Sequence, residues 1–141
     1  MGYVKVNIQL TNSGDLELWR RGLLPLGQVR RTEVPVVVDT GAINLCLAEE
    51  HVEQLGLSEL RRQTARLADN TELDLAIVGP VDVAYGDRET TVRALALPRG
   101  SESLLGVIPL EDMDLHPVPA AGTLEPNDPR HTLRKILSPR F

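Results

Sequence analysis

Apolar and polar residues alternate along the start of the chain. Val4, Val6, Ile8 and Leu10 make one face and Lys5, Asn7 and Gln9 the other, the period of a half-buried β-strand. Thr11-Asn12-Ser13-Gly14-Asp15 reads as a turn, after which Leu16 and Leu18 resume the alternation. Residues 23–33 continue in extended or looped form toward Val34-Pro35-Val36-Val37-Val38. That apolar run predicts a strand buried on both faces, and it leads directly into Asp39-Thr40-Gly41.

Further along, Ile43-Asn44-Leu45-Cys46-Leu47 predicts another strand. A short helix follows, with Glu49 and Glu50 in its first turn, Ala48, Val52 and Leu55 on one face, and Gly56 closing it. Residues 64–78 read as a hairpin turning at Asp69-Asn70, with Leu73, Leu75 and Ile77 alternating against Glu72 and Asp74. A second hairpin turns at Gly86-Asp87-Arg88, and Thr90 to Leu97 forms its return strand. After Ser103-Leu104-Leu105-Gly106, Pro109 suits the first position of a brief helix running to Met113. The chain shows two weakly similar halves, in which Gly41 and Gly106 take equivalent places. We place the domain at residues 1–116. Residues 117–141 are Pro-rich and basic and read as a tail or arm, with one helical turn around Leu133, Ile136 and Leu137.

The prevalence of Val and Leu in alternating runs makes the fold mostly β, with one or two short helices. A chain of 141 residues fits one such domain. The net charge of −5, with acids and bases interleaved, provides no basic field for nucleic acid or an anionic membrane. The N-terminus lacks the pattern of a secretion signal, and no apolar run approaches the ~20 residues that span a bilayer. Cys46 is the only cysteine, which suits a reducing compartment. These features predict a cytoplasmic protein. One cysteine and three scattered histidines make no zinc site, and no cofactor motif appears.

Asp-Thr-Gly is a weak signal alone, since roughly one unrelated chain in thirty of this length contains it by chance. Its context raises its weight, because a carboxylate at the mouth of a buried strand is costly unless chemistry requires it. Cys46 reads as a core thiol, as it stands in an apolar strand with no nearby His. Trp19 reads as core or interface, and His51 as solvated. Glu111, Asp112 and Asp114 read as helix-start charges and not as a metal site.

The order strand, DTGA, strand, helix, hairpin, strand, Leu-Leu-Gly, helix resembles the retropepsin family, the retroviral aspartic proteases and their stand-alone bacterial relatives. The resemblance covers residues 28–115, and its markers are Val-Val-Val-Asp-Thr-Gly-Ala at 36–42 and Ser-Leu-Leu-Gly at 103–106. It implies a closed, barrel-like fold that works as a homodimer on a peptide or protein substrate. Asp39 would be the catalytic residue. Thr40 would bond across the two-fold axis, and Gly41 would let the substrate backbone approach. Leu104, Leu105 and Gly106 would form the loop beneath the DTG turn, and the hairpin at Asp69-Asn70 would be the flap. Ala42, Ile43, Asp69, Asn70, Leu73, Val107 and Ile108 are the expected substrate-binding residues.

The chemistry leads to the same assembly. Activating water needs an acid and a base together, and two adjacent carboxyls that share one proton supply both. The chain carries one DTG, so the second Asp39 comes from another copy. Ile43 and Val107 stand where viral enzymes commonly carry an ion-paired Asp and Arg. Both charges are gone together, so neither is orphaned. The competing reading is a catalytically idle dimeric binding or scaffold module with the same fold.

Overall fold

The computed structural model describes residues 3–130, and the turn expected around Leu133 lies outside them. Among the described residues, nine strands and three short α-helices make the fold mostly β, with one helix more than the sequence predicts. Strand β1 (Val4–Asn12) buries Val4, Ile8 and Leu10 and exposes Lys5, Asn7 and Gln9. It pairs antiparallel with β2 (Arg31–Val38). In β2 the expected double burial holds only over Val36–Val38, while Pro35 is exposed and Val34 buried in ordinary alternation.

The stretch from Ser13 to Arg20 is helix α1, not a resumed strand. The residues read as a turn act as its cap. The Asn12 side-chain oxygen accepts from the Asp15 N–H at 3.0 Å. The Asn12 amide donates to the Leu55 carbonyl at 2.8 Å, joining the two helices. Asp15 is buried and accepts from the Arg30 backbone N–H (3.0 Å), Nε (2.8 Å) and Nη2 (3.0 Å). Leu18 and Trp19 are consequently turned outward, each 42% exposed, so Trp19 is no core residue.

Strand β3 (Leu45–Ala48) feeds α2 (Glu49–Leu55), which ends at Gly56 in the left-handed region, φ 61°. Both match the sequence pattern. Strands β4 (Glu59–Arg66) and β5 (Glu72–Tyr85) form the expected hairpin, and β6 (Arg88–Leu97) returns from a tight turn at Gly86-Asp87. The short β7 (Leu104–Leu105) precedes α3 (Val107–Met113). Pro109 falls in the third place of α3, and Gly106 caps it.

The seven-stranded sheet runs β1-β2-β7-β3-β6-β5-β4, and β1 pairs also with β5 from Gln9↔Ala84 to Asn12↔Val81. The succession of neighbours thus returns to its first strand. Two pairings are parallel, β2 with β7 and β3 with β6. Val34, Val36, Leu45, Leu47, Val81, Val83 and Leu105 fill the interior.

The boundary read at residue 117 falls inside a further hairpin of β8 (Leu115–Val118) and β9 (Thr123–Pro126). Leu124 from β9 joins the core. Prolines there obscure the strand signal, yet a two-stranded sheet has edges that tolerate them. Arg88, only 4% exposed, ties this hairpin down by donating to the carbonyls of Met113 (3.0 Å) and Asp128 (2.5 Å).

Candidate functional site

The core valines of β2 carry the chain to Asp39 just past the strand's end, where Asp39 is half-buried as a residue and Thr40 and Gly41 are exposed. The chain turns sharply there because Asp39 organises it. Its Oδ1 accepts from the Gly41 N–H at 2.8 Å and its carbonyl from the Ala42 N–H at 3.1 Å. This is the local side-chain-to-backbone bonding that Asp favours at turns.

The second segment holds the turn from below. The Asp39 N–H donates to the Leu105 carbonyl (3.0 Å), and the Val37 N–H to that of Ser103 (2.9 Å). In return the Val107 N–H donates to the Ala42 carbonyl and the Ile108 N–H to that of Ile43, both at 2.9 Å. Backbone bonds on both sides therefore join the DTG and Leu-Leu-Gly segments, and the first turn of α3 supplies two of the donors that an N-terminus leaves free. Gly106 is there for space. A Cβ on it would fall 2.4 Å from the Asn44 carbonyl oxygen and 2.8 Å from that of Ala42.

Asp39, Gly41, Ala42, Ile43, Leu105, Gly106, Val107 and Ile108 are thus assembled into one unit. Two large apolar side chains lie on its outer surface, Ile43 66% and Ile108 49% exposed. The Thr40 hydroxyl finds no partner among the described residues. Asp69, Asn70 and Leu73 belong to the β4–β5 hairpin, and no hydrogen bond among the described residues joins them to the turn. At its tip Asn70 takes the left-handed conformation, φ 69°. Asp69 Oδ1 accepts from both the hydroxyl (2.5 Å) and the N–H (3.0 Å) of Thr71. These bonds, the hydroxyl's first, hold the Asp69 carboxyl below its usual range.

The hairpin has two distinct faces. Arg62 and Arg66 pair across the strands with Asp74 and Glu72 on one of them. Ala65 opposite Leu73, and Gln63 opposite Leu75, lie on the other.

Cys46 is 5% exposed, and its thiol is pushed up to about 11, by burial first and by the Asp39 charge second. Ser103, which the sequence marked only as the start of Ser-Leu-Leu-Gly, is buried and accepts from the Ala48 N–H at 3.1 Å. Glu111 and Asp112 lie at the end of α3 and not at its start, and Asp114 is its left-handed C-cap, φ 56°. The expectation of helix-start charges is therefore reversed in polarity. Among the described residues no helix is long and apolar enough to cross a membrane, and no group of three or more His, Cys, Asp or Glu side chains is placed to hold a metal ion.

No protein-family model, curated protein or solved structure matches the chain.

Proposed function

We propose that this chain is one subunit of a homodimeric aspartic endopeptidase, in which the two Asp39 carboxyls activate a water molecule against a peptide bond. The observation that carries this reading is the braced turn. Asp39 stands at the end of a core strand with its carboxylate oriented by the Gly41 N–H, and the Leu105–Val107 segment fixes that turn from beneath. Catalytic groups need such preorganisation by their backbone. The return of the strand order through β1 and β5 agrees with a closed barrel-like fold.

A monomer would hold only half the machinery. The exposed Thr40 and the apolar Ile43 and Ile108 surround the carboxylate with a surface suited to burial, against a second copy or a substrate. In the dimer one Asp39 takes the proton of water while the other donates to the departing amine. The β4–β5 hairpin acts as the flap, and extended substrate lies beneath its less charged face.

The test is cleavage of a peptide library by the parent and by Asp39→Asn. The variant is expected to lose cleavage and keep the fold and dimer, because the amide fits the same turn. Parent activity should be bell-shaped in pH, since only the pair holding one proton works. Undiminished cleavage by the variant overturns the assignment. A folded parent dimer that cleaves nothing favours the idle binding module.

A further inference from the structure

A cavity of about 530 Å³ opens between α2 and the root of the β4–β5 hairpin, within the size range of small-molecule sites. Its floor is apolar. Val52 and Leu57 come from the helix and its exit, Leu75 and Val78 from β5, and Ala96 from β6. The first four are at most 9% exposed, so the core holds them in place and the floor exists before any guest arrives. Glu49 and Glu53 on α2 and Glu59 on β4 stand around it, and Arg62 is the one cation in the lining.

The charges do not cancel. Arg62 already donates from Nη1 to Glu59 (3.1 Å) and from Nε to Asp74 (3.0 Å). Arg99, outside the lining, pairs with Glu53. Glu49 is exposed in the first turn of α2 and has no ion-pair partner among the described residues. The cavity therefore combines an apolar floor with one uncompensated carboxylate. An apolar body would cover the floor, and a cationic head would replace the water that Glu49 loses when the cavity fills. A neutral guest would leave that loss uncompensated, and an anion would add repulsion.

We propose that this cavity binds a small organic cation, an amine on an alkyl or aryl body, and that the bound amine restrains the hairpin. The site lies across a bend. Strand β5 breaks register with β6 between Val78 and Val81, an irregularity that bends a strand. Among the described residues β4 pairs with β5 alone. Leu75 and Arg62 lie on the hairpin side of that bend, while Glu49 and Val52 belong to the body of the fold. An occupant touching both sides ties them together. None of residues 39–43 lines the cavity, so the amine leaves the DTG turn open. Regulation of substrate entry rests on the function proposed above; binding and restraint do not.

Phenylbutylamine, phenylbutanol and phenylbutyrate carry positive, neutral and negative heads on nearly the same body. Titrated into the full-length protein at neutral pH and low salt, the amine should shift the amide resonances of Val52, Leu57, Ala76 and Ala96, which line the cavity. It should bind several-fold tighter than the alcohol, and the acid should bind weakest. Glu49→Gln should remove most of the amine's advantage over the alcohol. Saturating amine should slow amide exchange over residues 64–74 several-fold. Equal affinity for amine and alcohol, an advantage that survives Glu49→Gln, or shifts centred elsewhere overturns the site. Exchange that does not slow overturns the restraint. Asp39→Asn should bind the amine as the parent does; a loss there would place the amine at the candidate catalytic carboxyl and overturn the proposal. Because no readout uses cleavage, a parent that cleaves nothing but binds the amine refutes the protease reading and leaves this site standing.

Discussion

Gly106 passes so close to Asn44 that a Cβ at Gly106 would stand 2.4 Å from the Asn44 carbonyl oxygen. The obstructing atoms are backbone of the very segment that carries Asp39, so they cannot swing aside as a side chain could. Gly106→Ala should therefore separate the two segments and destabilise the fold by about 3 kcal/mol, the upper range for overpacking. Urea unfolding measures this. A loss within about 0.5 kcal/mol, as for an ordinary surface change, would show that the contact is not tight.

Asp15 and Arg30 predict an acid-sensitive contribution to stability. The Arg30 side chain first, and its backbone N–H after it, hold the Asp15 carboxyl below its usual range against the opposing effect of burial. A carboxyl lowered in the folded state stabilises fully above its unfolded value, about 4. That stabilisation is lost as pH falls through the lower folded value. Because Arg30 is half-exposed, Asp15→Asn should cost only about 1 kcal/mol at pH 7. The stabilities of parent and variant should converge as pH falls through that lowered value. A gap that persists unchanged in acid contradicts the ion-pair account.

Cys46 reports on Asp39 without any substrate. With its thiol raised to about 11, alkylation of the folded protein at pH 8 should be slow and should become fast in urea. Asp39→Asn removes one of the two causes, so the titration of Cys46 should move down while burial keeps it above the ordinary thiol. Following thiolate absorbance near 240 nm against pH tests this. An identical titration in both proteins would mean that the carboxylate does not reach the thiol.

Subunit mixing tests the shared pair. With a ninefold excess of Asp39→Asn and full exchange, roughly one parent chain in ten pairs with another parent. Cleavage per parent chain should then fall about tenfold. Constant activity after verified exchange would mean that each subunit holds a complete site.

The parts of this fold that sequence pattern revealed are those with local causes. Gly56 punctuates α2 because only a left-handed residue fits there, and the hairpin turns through the Asp69 side chain and the left-handed backbone of Asn70. Helix α1 was not legible, since Asn12-Ser13-Gly14-Asp15 serve a turn and a helix cap equally well. The deciding partners, Arg30 and Leu55, are 15 and 43 positions away. The pairing of β1 with β5 likewise leaves no local trace. At the candidate site, Asp39 and the Leu104–Gly106 segment stood out only together, as spaced markers of a family resemblance. The reciprocal bonds through Val107 and Ile108 are carried by the backbone, which side-chain identity does not encode.

In the seven-stranded sheet, among the described residues, β4 alone has a single neighbour. An open sheet edge is a template for another chain's strand, and in stacked copies it seeds fibrils. Here Arg62 and Arg66 are ion-paired with Glu59, Asp74 and Glu72, so Arg61 is the arginine of that edge with no such partner among the described residues. Two copies meeting there would bring the two Arg61 charges onto one edge before any backbone bond formed. A paired edge strand that keeps one unmatched positive charge is thus a poor template for a second copy of itself.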